Sequence, residues 1–168
     1  NFGYIRTAQV RIGQFKEPFN HEVLLPEKYL DFIERSIVAT VVSPAEDIGV
    51  MVHNFGNPIG KVFEYGVGMF NGLGGSKEKK IPDKTFEYVG RIALYPFGAS
   101  LNELFKSTRV ACYALYEVGC PEGDYMHPRT PLGFEFFPRI LTKGARIAFG
   151  TDINWSSCPF SVNDEYTK

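Results

Sequence analysis

Apolar and polar residues alternate with a period of two along most of the chain. In residues 7–13, Ala8, Val10 and Ile12 interleave with Thr7, Gln9, Arg11 and Gly13, so an extended backbone there carries one apolar and one polar face. Residues 47–53 repeat the pattern, with Ile48, Val50 and Val52 opposite Gly49, Met51 and His53. Phe63, Tyr65, Val67 and Met69 oppose Glu64, Gly66 and Gly68, while Tyr88, Gly90, Ile92 and Leu94 oppose Arg91 and Ala93. Near the end, Ile147, Phe149, Thr151, Ile153 and Trp155 oppose Arg146, Ala148, Gly150, Asp152 and Asn154. Residues 108–118 read as a strand whose facing the pattern leaves open, and 132–137 and 159–166 read as two more.

Turn chemistry separates these runs. NFGNPIG at 54–60, NGLGGSKEKKIPDK at 71–84 and GCPEGDYMHPRTP at 119–131 predict a mixture of short and long connections, as in an antiparallel meander. One stretch departs from period two. In PEKYLDFIERSIV at 26–38, Leu30, Ile33 and Ile37 recur at helical spacing and Pro26 suits a first helical position. Residues 14–46 are therefore expected to form a long excursion that contains a short helix. Neither an internal repeat nor a linker divides residues 1–168, which read as a single unit.

Composition agrees with strands. Aromatic residues make up 15% of the chain and glycines number 17, a mixture suited to pleated surfaces and turns. The formal net charge of -1 gives no electrostatic case for nucleic acid as a partner. No stretch is long and apolar enough for a membrane-spanning helix, which leaves strands as the means of crossing a bilayer; those need only about 9–11 residues each.

Catalytic and cofactor chemistry finds little support. GNPIGKV at 56–62 is one residue short of a phosphate-binding loop and has Val62 where a magnesium-binding hydroxyl belongs; GLGGSK at 72–77 has no third glycine and no helical pattern after it. His21, His53 and His127 are scattered, no GxSxG or HExxH occurs, and Asp164 and Glu165, being adjacent, point to opposite faces of a strand. Cys112, Cys120 and Cys158 lack metal-ligand spacing, although a bridge between Cys120 and Cys158 stays open. The expectation is a protein that is not an enzyme, with no catalytic residues, no metal and no cofactor.

More informative are the charges set inside strand patterns: Arg11, Glu64, Arg91, Arg146 and Asp152. In a soluble or surface-anchored β-sandwich binding module they would face solvent. In a barrel that spans a membrane the apolar face meets lipid and the charged face lines water. Periodicity alone does not choose between these two.

The wording and order of several motifs bear on the choice. RIGQFKEPF at 11–19, FIERS at 32–36, DIGVMVH at 47–53, GVGMFNG at 66–72 and VGRIALYPF at 89–97 resemble the phosphate-selective porin O and P family. TPLGFEFF at 130–137, GARIAFGTDI at 144–153 and PFSVNDEY at 159–166 resemble its later strands. The resemblance implies an antiparallel transmembrane β-barrel in the bacterial outer membrane, embedded in lipid and commonly trimeric, with an inward loop narrowing the pore. Such porins have about 16 strands, so this chain, with about eight, is expected to hold roughly half of one.

The implied function is passive diffusion of small anions such as phosphate or polyphosphate along Arg and Lys side chains, since guanidinium groups bind oxyanions through paired hydrogen bonds and keep their charge. By facing, Arg11, Arg91 and Arg146 are the expected pore-lining groups. Lys16 and Arg35 are the expected constriction cations, with Glu17, Glu34 and Glu46 as their acidic partners. Glu46 stands where that family commonly has a basic residue before the DIG motif.

Overall fold

A computed structural model of the chain describes residues 2–5, 7–26, 28, 30, 35, 36, 39, 43, 46–72, 86–99, 103–126, 140–157 and 160–167. Eight strands form one antiparallel sheet in sequence order: β1 (Phe2–Ile5), β2 (Ala8–Lys16), β3 (Glu46–His53), β4 (Phe63–Phe70), β5 (Phe86–Leu94), β6 (Arg109–Met126), β7 (Ile140–Ser157) and β8 (Phe160–Thr167). Among the described residues two single-turn helices have full bounds, α1 (His21–Leu24) and α2 (Glu103–Lys106). The protein is thus all-β, as the alternation predicts. The sheet is not closed: β1 and β8 are its edges, each paired on one side among the described residues. Among those residues no helix is long and apolar enough to cross a membrane.

Direct cross-strand neighbours share a face, so the register converts separate alternations into two surfaces. One is buried and one exposed. On β6, whose facing the sequence leaves open, Ala111, Tyr113, Leu115 and Glu117 take the buried side and Cys112, Ala114 and Tyr116 the exposed side. Cys112 is a free thiol, and Cys158 lies outside the described residues.

One local expectation changes, and two lie mostly or wholly outside the described residues. Residues 119–131 carry turn chemistry, yet β6 continues to Met126 and pairs with β7 as far as Ile140. The register shifts between Glu117 and Cys120 and again between Cys120 and Asp124, the interval that holds Pro121 and Gly123. A proline cannot donate to the ladder, and a bulge is where a sheet accommodates it. The helix expected over 26–38 falls mostly outside the described residues, and Arg35 and Ser36, which are described, are not helical. A helical turn lies earlier, at α1, where the Asn20 side-chain oxygen accepts a hydrogen bond from the Val23 N–H at 3.2 Å as an N-cap. The strand expected over 132–137 lies outside the described residues, whereas 159–166 corresponds to β8.

The core is small and lies on the buried face. Met51, Phe70, Val89, Tyr113, Leu115 and Ala148 come from the sheet, and Phe19 comes from the excursion after β2; Phe15 and Phe55 pack against them. Glycine makes room for the rings. A Cβ on Gly49 would fall within the Phe70 ring and against the Met69 carbonyl oxygen, which is backbone and cannot move aside cheaply. Gly49→Ala is expected to lower stability by about 1–3 kcal/mol through overpacking, read as a lower urea midpoint at unchanged slope. An unaltered midpoint would contradict this packing.

Candidate functional site: a charged buried face and the segment docked on it

The polarity of the sheet is inverted relative to a water-soluble one. Ile147 is 70% exposed and Ile12 63%, whereas Arg91 is 2% and Asp152 1% exposed. Ile48, Val50, Val67, Met69, Tyr88, Ile92, Phe149 and Val162 continue the apolar exposed face across the strands. Glu87, Glu117 and Asp47 sit on the buried side with the arginines.

Register arranges the buried face into rungs. Gly49 pairs with Phe70, Phe70 with Glu87, Glu87 with Glu117 and Glu117 with Arg146. This rung is acidic: two carboxylates stand directly opposite each other, and the Arg146 guanidinium lies 3.6 Å from Glu117. The next rung toward the middle is apolar, running through Met51, Gly68, Val89, Leu115 and Ala148. Beyond it come Gly66, Arg91, Tyr113, Gly150 and Thr167, and then Glu64, Ala93, Ala111, Asp152 and Glu165.

Arg91 and Asp152 make a buried ion pair of 2.5 Å, and Arg109 reaches the other oxygen of the same carboxylate at 3.0 Å. Arg109 also donates to Asn154 Oδ1. The Tyr113 hydroxyl donates to Glu165 and lies 2.8 Å from the Thr167 hydroxyl, while the Arg91 guanidinium sits 5.4 Å from the Tyr113 ring centroid.

A second layer rests on these rungs. Directly after β2, residues 17–20 are fully buried. Phe19 packs edge-on to Tyr113 with centroids 4.7 Å apart, and its carbonyl oxygen accepts a 2.7 Å hydrogen bond from Arg91 Nη1. One arginine therefore holds both a wall carboxylate and the backbone of the docked segment.

The expected site residues fall into separate places. Lys16 and Arg35, distant in sequence, converge on one atom: Lys16 Nζ donates to the carbonyl oxygens of Val23 at 2.9 Å and Leu25 at 3.5 Å, and Arg35 donates to those of Glu22 at 3.4 Å and Leu25 at 3.3 Å. These are the last carbonyls of α1, the negative end of its peptide dipoles. Glu22 holds the returning chain through the Ser36 N–H at 2.7 Å and hydroxyl at 2.6 Å. Arg11 is half-buried on the face it shares with Met51, its guanidinium 5.5 Å from the Phe15 ring centroid. Arg91 and Arg146 lie on the buried face and are paired with acids. Glu46 is exposed opposite Lys16 in the register, and Glu34 lies outside the described residues. The Glu17 carboxylate makes no hydrogen bond to Lys16 or Arg35; it is buried near the acidic rung.

Sequence reasoning does not single out Arg109, Tyr113 or Phe19. Arg109 begins a strand of open facing, and Phe19 follows Pro18 in what reads as a turn. The signal available was position alone: Arg109 has the parity of Glu117, so once one facing is known the other follows.

Two titratable groups of the docked segment are displaced from their ordinary values. Burial, and then the charges of Arg109 and Arg91, lower His21 to about 3. Burial, and then the charges of Glu87 and Asp47, push the Glu17 carboxyl up. No protein-family model, curated protein or solved structure matches the chain. The family resemblance therefore rests on its motifs, and the geometry must carry the functional argument.

Removing one partner of a buried ion pair leaves the other charge uncompensated. Asp152→Asn, which removes the negative charge facing both Arg91 and Arg109, is expected to cost about 3–5 kcal/mol, measured by urea unfolding. For His21 the docked value lies below the free value of 6.5, so the His21 contribution to docking is complete above 6.5 and is lost as pH falls toward about 3. Amide exchange in residues 17–25 is expected to accelerate over that acid interval in the wild type and not in His21→Gln.

Proposed function

We propose that the sheet is an arc of the wall of a bacterial outer-membrane porin, with its apolar face toward lipid and its charged face toward water. The observation that carries this reading is the inverted polarity. A soluble protein rarely leaves a contiguous apolar patch larger than a few hundred Å² uncovered, and a sandwich would need a second sheet on that face. Among the described residues there is one sheet. Strands of eight or nine residues such as β2 to β5 have about the length that a tilted strand needs to cross the hydrocarbon. Both edges would be paired with further strands in the closed wall, in a barrel of about 16 strands. The trimer and the membrane location implied by the family resemblance belong to the same proposal.

The docked segment would be the constriction. Small anions, phosphate-like in chemistry, would pass Lys16 and Arg35, whose joint placement at the end of α1 concentrates two positive charges at one point of the passage. Arg91, Arg109 and Arg146 would be wall-building groups more than solute ligands, because carboxylates already hold them. Weak, shared contacts are what a conducting path requires.

Planar-bilayer recordings test both parts. The protein is expected to give stepwise conductance, and its absence would sink the pore reading. Under a salt gradient, Lys16→Gln with Arg35→Gln is expected to lower the anion-to-cation permeability ratio by roughly twofold or more. An unchanged ratio with intact conductance would remove the anion assignment and leave the pore.

A further inference from the structure

Glu17 is fully buried, and neither of its carboxylate oxygens has a hydrogen-bond partner; one oxygen of Glu87 is in the same condition. The charged groups facing Glu17 come from four strands: Asp47 of β3, Glu87 of β5, Glu117 of β6 and Arg146 of β7. Three carboxylates thus stand against one guanidinium, which is itself engaged with Glu117. An ionised Glu17 in this place would be desolvated, unpaired and repelled. Carboxyl groups that share a site do not all ionise, so one of them keeps a proton. The residue best suited to keep it is Glu17, which lacks any hydrogen bond that would stabilise a carboxylate. Among the described residues no group of three His, Cys, Asp or Glu side chains is placed to hold a metal ion.

We propose that Glu17 is a proton-controlled latch: its neutral carboxyl lets the segment 17–25 seat on the acidic rung, and its ionisation loosens the whole segment from the wall. Only the proton leaves Glu17; no bond between heavy atoms is made or broken. The direction follows from linkage. The docked value of Glu17 lies above its free value, so seating is complete below the free value and is lost as pH rises. His21, at the other end of the segment beside Arg91 and Arg109, works in the opposite sense, by opposing docking in acid. The segment is consequently held best between the two. The consequence for conduction rests on the pore reading, whereas the latch itself is a property of the folded chain.

Hydrogen exchange on the full protein in detergent, from about pH 6 to about pH 10 and corrected for the intrinsic rate, reads the latch without requiring conduction. Protection of residues 17–25 is expected to fall by roughly tenfold or more across this range in the wild type while β5 and β6 keep theirs. Glu17→Gln, which is neutral throughout, is expected to keep its protection. Glu87→Gln, which removes a repelling charge and so brings the docked Glu17 value closer to its free value, is expected to make the loss smaller and serves where Glu17→Gln does not fold. Constant protection in the wild type, or a loss in both variants identical to that of the wild type, would overturn the latch. In bilayers, conductance is expected to rise with pH in the wild type and stay flat in Glu17→Gln. Protection that depends on pH with no conductance at any pH would overturn the pore reading and retain the latch. Conductance independent of pH alongside changing protection would overturn the gating role.

Discussion

Everything on the buried face turns on Arg91. Its guanidinium is removed from water and must find acceptors on every side. One side is met by Asp152, which Arg109 also grips, and another by the carbonyl oxygen of Phe19. These bonds join β5 to β7 across β6 and tie the chain after β2 to both. Because a guanidinium is planar and its donors are fixed in direction, the pairing sets geometry as well as energy. Without it, the docked segment would keep Phe19 against Tyr113 but lose the polar contact that orients it.

Around that centre the face is layered by register. An apolar rung through Met51, Val89 and Leu115 receives Phe19, and it separates the Arg91 network from the acidic rung of Glu87 and Glu117. The docked segment spans both charged rungs. Near one end Glu17 lies over carboxylates, and farther along His21 lies beside arginines. A segment held by charge at two places of opposite sign responds to acid at one and to base at the other. The single-turn helix that begins at His21 is held also by Lys16 and Arg35 on its terminal carbonyls and by Asn20 at its start.

The exposed face makes the complementary demand. Ile12, Ile48, Val67, Ile147 and Phe149 present a continuous apolar surface to the surroundings. In water the hydrophobic effect would drive such a surface together. The same alternation that a soluble sheet uses to bury its apolar side appears here with its sides exchanged, which is the property on which the proposed lipid-facing wall rests. Burial on the other face is supplied by the protein's own excursion, so the charged side chains are covered by backbone carbonyls and aromatic rings.

Period-two alternation was enough to place β2, β3, β4, β5 and the shared part of β7 and to assign their two faces, because side-chain direction in a strand is a local property. It failed where local chemistry and pairing disagreed. The Pro and Gly of residues 119–126 read as a turn, and only the long partner β7 kept them extended through bulges. Nor does any helical spacing mark α1, whose start depends on a single Asn20 cap. For the site, the charged residues themselves were legible as interruptions of a strand, but their partners were not. That Arg91 holds Asp152, that Glu87 faces Glu117, and that Lys16 meets Arg35 at Leu25 are facts of register and of chain return, set by groups up to 61 residues apart. The sequence by itself determined which faces are apolar and charged. Tertiary structure alone decided which of those faces is buried and what lies upon it, since burial depends on contacts between distant segments that no local pattern encodes.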